Sequence, residues 1–155
     1  MTQNGCLLSY DGATFYYGVG QNIVVQSTVT TIVTGVMAYN DNVVSIDLSN
    51  SRITNVPSNA FTSCKNLISV KFPSTLTAFS RTMLGGCSSL ELVDMRLAQQ
   101  VPTLTAIGAL PYSINQTFKV VVPDALYSTW ITSGNWANAN IVGHIVSATD
   151  YENNV

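Results

Sequence analysis

Five apolar positions recur at one spacing in the middle of this chain. Phe61, Cys64, Leu67, Val70 and Phe72 return as Leu84, Cys87, Leu90, Val93 and Met95, each 23 residues on. A fixed period of this length marks stacked repeats, each of which buries its apolar face only against its neighbours. Such a stack makes surface rather than pocket, which points to binding or scaffolding before catalysis.

The pattern extends more loosely to either side. Val43, Ile46 and Leu48 form a degenerate first turn, 24 residues before Leu67, Val70 and Phe72, and Ile53 matches Leu76. Val120-Val121-Val122 occupies the strand slot of a weaker last turn. Pro73 and Pro123 each follow a strand slot, where a proline ends a ladder at little cost. Each turn should hold a short strand, a bend, and a helical or 3₁₀ piece carrying Ala60-Phe61 or Met83-Leu84. Period-2 alternation points Ile46 and Leu48 inward and Asp47 outward.

The flanks read differently. Leu7–Tyr10 and Ala13–Tyr17 surround Asp11-Gly12, a pair that favours a type I′ hairpin turn. Asn22–Val25 and Thr28–Val36 are β-branched runs that predict two more strands. After Pro123, Asp124 predicts the N-cap of a short helix to Thr132, with Leu126 and Trp130 on one face. With Trp136 it would cover the open end of the repeats. The expected division is residues 1–40 as an N-terminal β-rich attachment module, 41–123 as the repeats and 124–155 as a C-terminal cap and tail. The fold class is mainly β with short helices.

Charged residues make up 9% of the 155, against about 25% in a typical domain. Ser, Thr, Asn and Gln replace them. The net charge of −2 gives no basic excess to attract phosphate backbones, so nucleic acid is not an expected partner. Nine of the fourteen charged residues fall between Asp41 and Arg96, and residues 12–40 hold none. Polar residues interrupt both charge-poor flanks, so neither predicts a membrane span. They suit interfaces, whose cores are depleted of charge, and equally a Thr/Asn-rich β surface in water. Met1–Gly5 has neither a basic nor an apolar run, so no secretory signal is expected. Cys6, Cys64 and Cys87 are expected to be reduced and buried as small apolar fillers, in preference to a Cys64–Cys87 disulfide.

Asn59-Ala60-Phe61-Thr62-Ser63-Cys64-Lys65-Asn66-Leu67, followed by Val70-Lys71-Phe72-Pro73, resembles the BspA-like leucine-rich repeat. The family's turns run A-F, small residues, C, two residues, L, then a strand ending in P. The next turn keeps Leu84, Cys87 and Leu90 but has Met83-Leu84 for A-F and lacks the proline. Val120-Val121-Val122-Pro123-Asp124 with Asn135-Trp136 is similar to the ending often found after such repeats. The resemblance covers roughly residues 41–148. It implies a short leucine-rich-repeat-like solenoid of about three to four turns. Repeats of this kind occur in surface proteins of gut and oral bacteria, and in short proteins of phages that infect them. The lack of an export signal and the small number of turns favour the phage type. Residues 1–40 carry no resemblance.

Catalytic chemistry finds little support. The one histidine, His144, lies in an Ile-Val-Gly-His-Ile-Val run and reads as a surface or capped position rather than a base. No C-x-x-C spacing supports zinc, and Gly18-x-Gly20 lacks the rest of a phosphate loop. No metal or cofactor is expected. Asn115-Gln116-Thr117 fits a glycosylation pattern, which has meaning only in a secreted chain.

Binding is better served. Asp47, Lys71 and Asp94 share an outward strand slot and should form a minus-plus-minus ladder about 4.8 Å apart. That ladder reads first as mutual neutralisation on a solvated face, and otherwise as part of a docking strip of Ser45, Asp47, Ser69, Lys71, Leu92 and Asp94. Tyr10, Phe15, Tyr16 and Tyr17 form a second candidate docking cluster, with Phe15 and Tyr16 on opposite sides of one strand. The expected function is a non-enzymatic virion structural protein, an external auxiliary component of a phage capsid. Its expected partners are other virion proteins and copies of itself. The alternatives are a tail or fibre adhesin for a host glycan or surface protein, and a bacterial surface repeat protein.

Overall fold

The computed structural model describes residues 2–3, 5–110 and 117–154. In chain order the strands are β1 (Thr2–Gln3), β2 (Cys6–Leu8), β3 (Thr14–Gly18), β4 (Asn22–Val24), β5 (Thr31–Ile32), β6 (Ser45–Asp47) and β7 (Asn55–Val56). They continue as β8 (Ser69–Lys71), β9 (Ala78–Phe79), β10 (Leu92–Asp94), β11 (Thr103–Leu104), β12 (Lys119–Val122) and β13 (Ile145–Ser147). Among the described residues three α-helices follow β12, α1 (Tyr127–Trp130), α2 (Ala139–Val142) and α3 (Ala148–Asn153).

The strands stack by repeat. A six-stranded sheet runs β13-β12-β10-β8-β6-β4, parallel throughout. Its register aligns Ile23, Ile46, Val70, Val93, Val120 and Ile145 in one inward row, and all six are buried. A second parallel sheet, β11-β9-β7, aligns Leu104, Phe79 and Val56, also buried. Between the sheets the backbone makes a third ladder: Met37 N–H donates to Ala60 O at 2.9 Å, Phe61 to Met83 O at 3.0 Å and Leu84 to Ala109 O at 2.8 Å. Each repeat therefore bonds to the next on three sides, around a core that holds Cys64, Leu67, Phe72 and their counterparts.

The strands are short because the chain must turn at each corner. Asn59 and Ser63 have φ near +59° and +55°, and Thr82 and Gly86, one repeat later, +59° and +78°. Gly35 and Tyr39 hold the same two left-handed positions one repeat earlier. Two such residues, four apart, stop a helix from forming between them. The expected helical piece at Ala60-Phe61 and Met83-Leu84 is accordingly a series of hydrogen-bonded turns.

The repeats start before residue 41. β4 pairs with β6, and Val25 N–H donates to Asp47 O at 2.8 Å, as Leu48 does to Lys71 O one repeat on. β5 pairs in parallel with β3, and Phe15 aligns with Ile32. Ile23, Val25, Val29, Val36 and Met37 belong to the same buried cluster as the later repeats. Nor does the six-stranded sheet end at residue 123, since β13 lies beyond it.

The expected hairpin is present between β2 and β3, but a five-residue loop, Ser9–Ala13, joins them rather than a two-residue turn. Only Gly12 takes a positive φ there; Asp11 instead accepts from Ser9 Oγ at 2.5 Å and Ala13 N–H at 3.0 Å. The expected helix of residues 124–132 is a 3₁₀ turn, Asp124–Leu126, followed by α1. Asp124 does not cap it. Its carboxylate accepts from the Thr149 N–H at 3.0 Å and hydroxyl at 2.7 Å, which holds its pKa below the usual carboxylate value. The glycosylation pattern at Asn115 falls outside the described residues.

Uncharged polar residues fill the outside of the stack for a local reason. Thr75 Oγ1 donates to Ile53 O at 2.7 Å, Thr77 to Thr54 O at 2.9 Å and Thr105 to Phe79 O at 2.8 Å. Hydroxyls reach one repeat back to carbonyls that need a donor, a task no carboxylate could perform.

Candidate functional site

The six strip residues come together on the outer face of the six-stranded sheet. Ser45, Ser69 and Leu92 align in one row, and Asp47, Lys71 and Asp94 in the next. They line a shallow depression of about 210 Å³ whose floor includes Ile46 and Val70. The rows run further than the strip, through Asn22 and Val24 on one side and Lys119 and Val121 on the other. Ser45 Oγ donates to Asn22 Oδ1 at 2.7 Å.

The register of the charge ladder is as expected, but its pairing is not. Asp94 is buried, at 4% exposure. Arg96 grips it with Nε to Oδ1 at 3.1 Å and a terminal nitrogen to Oδ2 at 2.8 Å, and the Arg96 N–H adds a bond of 3.0 Å. The second arm of Arg96 reaches Glu152 on α3 at 3.0 Å, and its guanidinium lies 6.0 Å from the centre of the Tyr151 ring. Burial works to raise the Asp94 pKa, but the bonds from Arg96, with a smaller contribution from Lys71, hold it below the ordinary value. Asp47 uses Oδ1 to accept from Ser49 N–H at 2.8 Å. Both ion pairs among the described residues belong to Arg96, so Lys71 presents its ammonium at the depression without one. The spacing of two from Asp94 to Arg96 was visible in the sequence; β10 ends at Asp94 and Arg96 lies in the turn that follows, where the Asp94 side chain accepts from the Arg96 N–H two residues on.

The second cluster divides. Phe15 is fully buried and belongs to the core, so it is no docking residue. Tyr10, Tyr16 and Tyr17 are exposed, at 95%, 48% and 46%. Tyr16 and Tyr17 are neighbours, and simple alternation would bury one of them. A bulge opposite Leu7-Leu8 breaks the alternation, since Leu7 pairs with Tyr17 but Leu8 with Phe15. Leu7, Val19 and Val24 are exposed in the same N-terminal part of the molecule.

His144 Nδ1 lies 3.0 Å from Phe118 O, in the loop before β13. The three cysteines are free and buried. Cys64 Sγ donates to Met37 O at 3.0 Å and Cys87 Sγ to Phe61 O at 3.1 Å. The neighbouring Cys64 side chain, with burial, pushes the Cys87 thiol well up, and burial raises Cys6 to about 11. None of these groups is disposed as a nucleophile beside a base.

A family profile described as the BspA type leucine rich repeat region, in six copies, matches residues 11–110. The chain belongs to this leucine-rich repeat family. The match starts within the β2–β3 loop, ahead of the sequence-based start at residue 41. Among solved structures, that of the pneumococcal vaccine antigen PcpA is similar over 95% of this chain, at 10% identity and a TM-score of 0.49. This chain spans 45% of that one. No curated protein sequence matches significantly. Members of a leucine-rich repeat family present repeated surface, and both candidate docking surfaces here lie on the outside of the repeats.

Proposed function

We propose that this chain is a non-enzymatic virion structural protein, an external auxiliary component of a bacteriophage capsid that docks in multiple copies. On this reading the stack is a short solenoid whose only task is to display its faces. The observation that carries the reading is the distribution of apolar surface. The spine is buried from Phe15 to Ile145, while seven large apolar residues in the first forty positions, Tyr10, Tyr16 and Tyr17 among them, stay exposed. Tyrosines that are half exposed on a charge-free face are what a protein interface uses. The setting is inferred from the repeat type, which occurs in short phage proteins as well as in bacterial surface proteins.

A second reading, a tail or fibre adhesin for a host glycan or surface protein, is favoured by the depression around Lys71. A bacterial cell-surface role is the third. Mass spectrometry and imaging of purified particles separate them. The capsid reading predicts many copies on the head; copies only on the tail would favour the adhesin, and a chain found only in the bacterial envelope would reject both. In particles, Tyr16→Ser combined with Tyr17→Ser should abolish incorporation. The isolated protein should keep its melting temperature, because surface changes away from packed features usually stay within about 0.5 kcal/mol.

A further inference from the structure

Two buried thiols occupy the same position in consecutive repeats, and nothing in the proposed role uses them. Cys64 and Cys87 hold the same position, 23 residues apart. The coils that carry them are bonded side by side, Phe61 N–H to Met83 O at 3.0 Å and Ser63 N–H to Gly85 O at 2.8 Å. Adjacent parallel segments are separated by about 4.8 Å, inside the Cα separation of about 4.4–6.8 Å that a disulfide spans. Both side chains are buried in the core, at 0% and 1% exposure, and Cys87 Sγ already reaches the coil that carries Cys64, donating to Phe61 O at 3.1 Å. Closing the bond would cost the sulfurs their hydrogen bonds to Met37 O and Phe61 O.

We propose that Cys64 and Cys87 form an oxidisable pair, reduced in a reducing compartment and closing to an inter-repeat disulfide in an oxidising one. The oxidant is a small-molecule disulfide. One cysteine, as thiolate, attacks a sulfur of the reagent and expels one reagent thiolate. The second cysteine, as thiolate, then attacks the mixed disulfide and expels the protein-bound half. The protein loses two protons and two electrons, and the reagent disulfide becomes two thiols. Burial makes the step wait for local opening of the stack. Once formed, the bond closes a loop of one repeat and restricts the unfolded chain. This proposal is independent of where the chain docks.

The test is incubation of the native full chain with oxidised glutathione, followed by thiol titration, intact mass and peptide mapping without reductant. The expected result is loss of two thiols with no glutathione retained, a peptide joining Cys64 to Cys87, and a melting temperature raised by several degrees until dithiothreitol reverses it. The Cys6→Ala variant should give the same link, and Cys87→Ala none. Three persistent thiols, a stable glutathione adduct, a link through Cys6, or a link that leaves the melting temperature unchanged would each overturn the proposal.

Discussion

At the scale of single residues, the stack depends on backbone conformations that few side chains favour. Gly86 sits at φ +78°, and a Cβ there would stand 2.8 Å from Ser63 Oγ in the preceding repeat. Gly86→Ala should therefore destabilise the protein by about 1–2 kcal/mol, read as a lower denaturant midpoint with unchanged slope. Asp94 sets an acid limit. Its folded pKa is depressed, so its contribution is full above the unfolded value of 3.8 and is lost as pH falls through the lower folded value. Stability should therefore fall as the pH drops from 3.8 through the lower folded value, and this group adds no further loss below it. Asp94→Asn should lower stability at neutral pH and flatten that fall, as thermal melts across a pH series would show. The sequence made the inward rows legible because burial obeys a period. It did not reveal the left-handed corners, since Asn59, Ser63 and Thr82 are ordinary residues whose φ is imposed by the stack. Nor did it reveal the Arg96 grip on Asp94, because ladder register alone assigned that carboxylate to Lys71.

At the scale of elements, the two ends of the molecule solve one problem differently. β11 is an edge of its sheet, and its open side is met by two side chains from the 3₁₀ turn Gly134–Ala137. Asn135 Nδ2 donates to Leu104 O at 2.7 Å, and Trp136 Nε1 to Pro102 O at 2.7 Å. Trp136 also packs edge-to-face on Phe79 at 5.3 Å and on Trp130 at 5.5 Å. The cap was legible as two tryptophans after the repeats. Its mechanism was not, because it depends on which carbonyls a sheet edge leaves open. Trp136→Phe keeps most of the packing but leaves a buried carbonyl without its donor, and should cost about 1–3 kcal/mol. Trp130 Nε1 has no acceptor among the described residues. Trp130→Phe should therefore cost less than Trp136→Phe, and chemical denaturation of both variants provides the comparison. At the other end, the β2–β3 hairpin closes the stack, and Cys6 and Phe15 are wholly buried beneath it.

At the scale of the whole molecule, one apolar spine runs from the first hairpin to the C-terminal cap. The first forty residues did not read as repeats because their anchors are sparse. Ile23 and Val25 do foreshadow Ile46 and Leu48 at the same period of 23, but they lie in a β-branched run that reads equally as free-standing strands. The structure puts them in the first coils, so the tyrosine face projects from the stack itself and not from a separate module. A chain of residues 41–155 tests this most directly, by thermal unfolding followed by circular dichroism beside the full chain. Without the covering strands, Ile46 and Val43 are exposed, and the shortened chain should lose its cooperative transition or melt far lower. An unchanged, equally sharp transition would contradict a shared spine and restore an independent N-terminal module.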